Sequence, residues 1–371
     1  MTTSTPETAT TRAPLRSRHT AGFPELLRTL SLSVLVSTYQ ANKLVILRAD
    51  GDVLNTHFRS FDVPMGLAVQ PGRMAIGTAL EIWEYHDVPA VAATIEPRGK
   101  CDACFLPRLS HTTGNIQIHE MAWVGDELVF VNTRFSCLCV RDNLFSFRPV
   151  WRPKFVSAYT PDDRCHLNGM GLKDGLVSCV TALGRTDTSG GWRVNKRDGG
   201  LLIDVVSNEI IATGLSMPHS PRWHDGRLWL LESGTGSVGI VDLASGRYEK
   251  ITQLPGFTRG FDIVGDYAFI GLSQVRESAI FGGIPLVERV EKRSCGVWVL
   301  DLRTGATVAW VEFDDALQEI FAVQVLPGKC FPDLINDDPA RIADSYILPE
   351  TALADVPAEL RRVVRNASHS V

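Results

Sequence analysis

The sequence predicts an all-β fold, a six-bladed β-propeller closed by its N-terminal strands. Three observations carry that expectation: six matched strand-turn-strand segments, outer hairpins of alternating pattern, and surplus strands at the start that complement a deficit at the end. The six segments are "VPMGLAVQPGRMAIGT", "QIHEMAWVGDELVFVNT", "CHLNGMGLKDGLVSCVT", "MPHSPRWHDGRLWLLES", "FTRGFDIVGDYAFIGL" and "EIFAVQVLPGKCFPDL". Their turns, Pro71-Gly72, Gly125-Asp126, Asp174-Gly175, Asp225-Gly226, Gly265-Asp266 and Pro327-Gly328, have the chemistry of tight hairpins. Consecutive turns lie 40 to 62 residues apart. That spacing suits one four-stranded blade per repeat, and radial repetition of such blades makes a propeller.

The remaining strands follow in order. "LSVLVSTYQANKLVILRADGDVLNTHF" supplies strands with no inner strand ahead of them, so residues about 30 to 60 are expected to complete the blade begun near Ile320. "GSVGIVDLASGRYEKI" and "CGVWVLDLRTGATVAWVEF" alternate around Ser-Gly and Thr-Gly turns, the pattern of outer hairpins. Regular short strands also permit a sandwich or two stacked barrels; the six matched turns favour the ring. Residues 1–24 are expected to be a disordered lead-in, residues 25–335 the propeller, and residues 336–371 a tail with a short helix in "ELRRVVRNASHSV".

Hydrophobic residues make up 44% and charged residues 21%, enough apolar material for a large core. A net charge of −5 argues against non-specific nucleic-acid binding, and no run of eighteen apolar residues suggests a membrane span. The first residues lack the apolar stretch of a secretory signal. Eight cysteines without an export signal read as reduced thiols in a cytoplasmic protein.

Side chains alternate faces along a strand, so register can be counted back from each turn. Six positions before the turn stand Met65, His119, Asn168, His219, Arg259 and Phe321. Eight before it stand Val63, Gln117, His166, Met217, Phe257 and Glu319. Three histidines from successive blades thus fall at one end of the channel. Imidazole is a common transition-metal ligand, and three of them leave an open coordination position. His119, His166 and His219 are therefore the expected metal ligands, for Fe(II) first, with Cu or Zn as alternatives. Glu120 and Glu319 are the candidate catalytic carboxylates, as a fourth ligand or as partners of a bound imidazole. The competing reading is a polar, water-filled channel.

Arg134, Arg193, Arg222, Arg259 and Arg276, with Asn168, are the candidate substrate-binding groups, because guanidinium forks pair with carboxylate or phosphate. They point to an anionic small molecule or peptide. Their structural alternative is tying neighbouring blades together. The glycine-rich "TDTSGGWRVNKRDGG" is long for a hairpin and could cap the channel. Cys101 and Cys104 with Cys137 and Cys139 offer four thiolates, but no second C-x-x-C is present, which disfavours zinc there.

The segments "VNTRFSCL", "FRPVWRPKFVSAYTPDDRCHLNGMGL", "GLSMPHSPRWHDGRLWLLESG", "LPGFTRGFDI" and "FGGIPLVER" resemble a bacterial family of conserved hypothetical proteins that carries a domain of unknown function. Some of its members are fused to tetratricopeptide repeats. The resemblance covers about residues 25 to 335 and implies a propeller-like fold without fixing a reaction. Most members of that family carry an acidic residue after the first histidine, where this chain has Glu120.

The expected function is a metal-dependent enzyme, leaning to an oxidoreductase of hydroxylase or oxygenase type. A metal-dependent hydrolase, lactonase or lyase is the alternative within enzymes, and a non-enzymatic propeller scaffold the alternative outside them.

Overall fold

The computed structural model describes residues 15–275, 282–314 and 316–357. Six sheets form a ring, each beginning with an inner strand at the axis. The first blade comprises Leu67–Gln70, Arg73–Gly77, Glu81–Asp87 and Ala103–Thr112; the second Ile118–Val124, Glu127–Asn132, Cys137–Val140 and Arg148–Trp151. The third is Leu167–Lys173, Leu176–Ala182, Gly200–Asp204 and Ile210–Leu215; the fourth Pro218–His224, Arg227–Glu232, Ser237–Asp242 and Arg247–Gln253. The fifth is Phe257–Val264, Tyr267–Ser273, Gly296–Asp301 and Ala306–Phe313. In the sixth, the inner strand Ala322–Pro327 pairs with Leu32–Thr38, followed by Lys43–Asp50 and Val53–Ser60. Ring closure therefore joins the two ends of the chain, as the strand surplus predicts.

Two of the turns show why their dipeptides matter. Asp174 and Gly175 have φ of 52° and 76°, and Asp225 and Gly226 have 47° and 70°. Two successive left-handed residues match the twist of a two-residue hairpin. The sixth turn differs from the expectation, because Pro327-Gly328 closes no hairpin. The chain instead runs on to Pro332–Leu334, which pairs in parallel with Ala103–Phe105 as a fifth strand on the first blade.

The N-terminal segment also departs from the expected lead-in. Residues 1–14 lie outside the described residues, but Ser17–His19 adds a strand to the fifth blade and Gly22–Thr29 is a helix. Phe23 and Leu27, four apart on that helix, are fully buried against strands of the fifth and sixth blades. Burying these two side chains gives the segment a reason to order. In the tail, short helices occupy Pro339–Ala343 and Glu350–Leu353, whereas the helix expected in 359–371 lies outside the described residues.

Hydroxyls at the end of the second strand stitch neighbouring blades. Thr133 Oγ1 donates to Leu167 O at 2.6 Å, Ser233 Oγ to Thr258 O, Ser273 Oγ to Ile320 O at 3.1 Å, and Ser37 Oγ to Met65 O. Each bond ties one blade to the inner strand of the next and satisfies a buried carbonyl.

At the ring closure, Asp333 is gripped by His57 at 2.9 Å and Arg59 at 2.7 Å, while Arg48 donates to Pro332 O at 2.5 Å. Burial alone would raise the Asp333 carboxyl, but the His57 hydrogen bond and the Arg59 charge outweigh it and bring it down to about 2. A depressed carboxyl stabilises the fold above its unfolded value near 3.9, and that contribution disappears as pH falls toward 2. Asp333→Asn should therefore cost about 2 kcal/mol in urea unfolding at pH 7, with wild type and variant converging near pH 2. Parallel pH profiles for the two would show that the clasp is not held by this charge.

Candidate functional site: the axial imidazole cluster

The inner strands bring His119, Asn168, His219, Arg259 and Phe321 to one axial cavity of about 20 Å³, closed off by Gly66 and Gly260 among others. Those five are the side chains counted six residues before their turns. The cavity has room for one water molecule or one ion and excludes a larger ligand. Met65, sixth in the count, does not line it.

Backbone geometry two residues ahead departs from strand regularity. Val63, Gln117, His166 and Met217 have φ of 49°, 51°, 50° and 47°, the left-handed region that side chains seldom adopt. The consequence is chemical. Gln117 O turns toward His119 Nδ1 at 2.9 Å, and Met217 O toward His219 Nδ1 at 3.0 Å. A carbonyl only accepts, so both Nδ1 atoms carry the proton. Thr133 Oγ1 lies 2.7 Å from His119 Nδ1 and Ser233 Oγ 2.9 Å from His219 Nδ1. Because both hydroxyls spend their own protons on the next blade, they too accept from the imidazoles. His119 and His219 are thus held as Nδ1–H tautomers whose Nε2 atoms carry the lone pairs. Left-handed non-glycine residues gathered at one site are the kind of strain found at functional centres.

His166 stands beside that cavity rather than in its lining, and reaches the cluster through its contact with the His119 ring. Its ring centroid lies 5.0 Å from that of His119, and its Nδ1 faces the Asp163 carboxylate at 3.0 Å. Asp163 also accepts Trp192 Nε1 at 2.9 Å, and the Trp192 ring lies 4.4 Å from the His166 ring. The glycine-rich loop therefore lays a buried tryptophan over one side of the cluster, with Gly191–Asn195 as a short 3-10 turn. Arg193, half exposed, reaches Asp163 at 3.4 Å and stands over the Trp192 ring.

Arg259 is the cation of the site. Its Nη2 donates to His119 Nε2 at 2.8 Å, and its guanidinium stacks 3.7 Å from the Phe321 ring. Burial lowers its pKa to about 9, with the Glu120 charge partly offsetting. The His119 and His219 imidazoles are held well below their ordinary values, first by burial, then by Arg259 and His166. Both stay neutral near pH 7. Among the described residues, no three His, Cys, Asp or Glu side chains stand in a geometry that grips a metal ion as placed, and the Arg259 guanidinium occupies the position facing His119 Nε2.

The other sequence candidates are dispersed. Glu120 pairs with Arg222 rather than with a histidine, and Arg222 further donates to Met170 O and Pro221 O, at 3.3 and 2.9 Å. Burial would lower the Arg222 pKa, but Glu120 and Asp262 outweigh it and raise it. Asn168 donates to Pro218 O at 3.0 Å and accepts from Thr181, joining the third blade to the fourth. Arg134 donates to Pro161 O and Asn115 O at 3.1 and 3.4 Å on the surface. Glu319 is half buried outside the axial cavity, its carboxyl pushed up by burial. Arg276 lies outside the described residues. Cys104 packs with Val88 and Ile335, while Cys137 and Cys139 sit in a different core cluster, so the four thiols do not meet. Sequence reading passed over Asp163, Thr133 and Ser233. The two hydroxyls had a findable signal, since each ends the strand after the turn, fourteen residues beyond its histidine.

Residues 21–335 match a family described as a domain of unknown function (DUF4915), and the chain belongs to that family. No curated protein is similar to it in sequence. Among solved structures, a chain from a crystal structure of a nidogen/laminin complex is similar with a TM-score of 0.53 at 10% identity, over 81% of this chain and 100% of that one. A protein of unknown function from Bacteroides caccae is similar with a TM-score of 0.47 at 12% identity, over 80% of this chain and 99% of that one. The first likeness agrees with the propeller fold and bears on the fold alone.

Proposed function

We propose that this DUF4915 protein is a metal-dependent enzyme whose axial imidazoles, His119, His166 and His219, take one divalent transition-metal ion, Fe(II) before Cu or Zn. The observation that carries the reading is the tautomer lock: Nδ1 of His119 and His219 is committed to carbonyl and hydroxyl acceptors, and Nδ1 of His166 to a carboxylate. Outer partners of this kind orient imidazole ligands in metal sites. A cavity of about 20 Å³ suits a single ion. When bound, such an ion supplies Lewis-acid or redox chemistry. The residues do the rest. His119 and His219 present neutral nitrogens, Trp192 shields one side from water, and Arg259 supplies the positive charge for an anionic small molecule or peptide whose bulk stays outside the single-ion cavity. An oxidoreductase of hydroxylase or oxygenase type is the first reading for such imidazole ligands, which suit redox metals; a hydrolase, lactonase or lyase is the neighbouring one, since three histidines also suit zinc.

A specific observation favours a second reading, a non-enzymatic binding scaffold: Arg259 already sits at His119 Nε2 as the resident cation. Metal analysis of protein purified without chelator and then loaded anaerobically with Fe(II), or with Zn, separates the two. About one tightly held ion per chain supports the enzyme reading, and no retained ion supports the scaffold. We place the protein in the cytoplasm on its eight free cysteines. No helix among the described residues is long and apolar enough to cross a membrane.

A further inference from the structure

The channel widens again at the end where the turns lie. There a hollow of about 200 Å³ is lined from the inner strands of all six blades, by Ala68, Trp123, Met170, Trp223, Asp262 and Gln324, with Glu120 and Arg222 between them. At roughly 30 Å³ per water, it holds a small molecule. The Glu120–Arg222 pair lies between this hollow and the imidazole cavity, which Glu120 also lines.

Its walls are built rather than incidental. Trp123 on the second blade carries the Arg73 guanidinium 3.8 Å from its ring, and Trp223 on the fourth carries Lys173 Nζ at 4.5 Å. Each indole is thereby stacked against a cation. Trp223 Nε1 is further fixed to Ser178 Oγ at 2.8 Å, whereas Trp123 Nε1 is buried with no hydrogen-bond partner among the described residues.

The charges indicate which ligand class suits the space. Glu120 and Arg222 neutralise one another, and burial raises the Asp262 carboxyl before Arg222 and two backbone N–H groups partly offset it. Among the described residues, no unpaired guanidinium lines the hollow to hold an anion, and the one arginine that does line it, Arg222, is spent on Glu120, which leaves Glu120 no free charge for an organic cation. What remains is a compact surface of donors and acceptors between apolar and aromatic walls. A neutral ring with hydroxyls on its edge and C–H groups on its faces meets both demands, stacking on indole while its hydroxyls both donate and accept.

We propose that this hollow binds a neutral sugar ring, a single pyranose or the end of a longer saccharide. The proposal is independent of metal at the imidazoles. The test is saturation-transfer NMR and tryptophan fluorescence on the full chain with glucose, galactose and N-acetylglucosamine, beside inorganic phosphate and choline. At least one sugar is expected to bind saturably, to weaken about tenfold or more in Trp223→Ala, and to be largely retained in Trp223→Phe, which keeps an aromatic face. Failure of all three sugars to bind, binding of phosphate or choline in their place, or undiminished affinity in Trp223→Ala overturns it. Should Trp223→Ala not fold, Gln324→Ala is read instead, with the same weakening expected and unchanged affinity counting against the proposal.

Discussion

Arg222→Met should lower the unfolding free energy by about 3–5 kcal/mol, measured by urea denaturation at pH 7, the cost typical of removing one partner from a buried ion pair. Glu120 and Arg222 have side chains only 15% and 17% exposed, and Asp262 stands close by. Without the guanidinium, the Glu120 and Asp262 carboxyls repel one another, and among the described residues lining the two axial cavities the remaining cation, Arg259, is engaged with His119. Adding Glu120→Gln to Arg222→Met should recover a large part of the loss, because the buried charge left unpaired is what costs most. Equal instability of the single and double variants would mean that Arg222 contributes through its bonds to Met170 O and Pro221 O instead.

His219→Ala should abolish tight metal retention, a larger loss than the roughly 10- to 100-fold that removal of an outer hydrogen-bond partner costs. Ser233→Ala, which frees His219 Nδ1 from its hydroxyl acceptor but leaves the Met217 carbonyl in place, belongs in that smaller range. Arg259→Met moves in the opposite direction. Its guanidinium competes for His119 Nε2, so removing it should tighten metal binding. Competition titrations against a chromogenic chelator measure all three. An Arg259→Met protein that binds metal more weakly would show the arginine supporting the ion rather than competing with it.

The ring and much of its axis were legible in the sequence because turn chemistry marks hairpins locally, and the same offset from each turn picks out equivalent positions even where the strand between is irregular. Two backbone features were not legible. Left-handed conformations at Gln117 and Met217 aim carbonyls at the imidazoles, and nothing in a glutamine or a methionine announces a positive φ. Irregularities between His219 and Arg222, and between Thr258 and Phe261, with Ser220 and Gly260 at φ of 49° and 80°, shift the register in mid-strand. A strict period of two would put His219 and Arg222 on opposite faces, yet both line the channel. The arginines divide for a similar reason. Their charge is visible in sequence, but the carbonyls that satisfy Arg134 and Arg222 come from segments distant in the chain. Asp163 stands only three residues before His166, a spacing that means nothing in a loop until the backbone turns back on itself, and its other partner, Trp192, arrives from a loop 29 residues on.

Long-range proton–nitrogen NMR of the histidine side chains tests most directly whether the axis is a convergence of imidazole lone pairs. The structure predicts that His119 and His219 show the Nδ1–H tautomer at pH 7, and the proposed metal site predicts that their unprotonated Nε2 resonances move together with that of His166 as zinc is added. Nε2–H tautomers at His119 and His219, or nitrogens indifferent to the added ion, would contradict it.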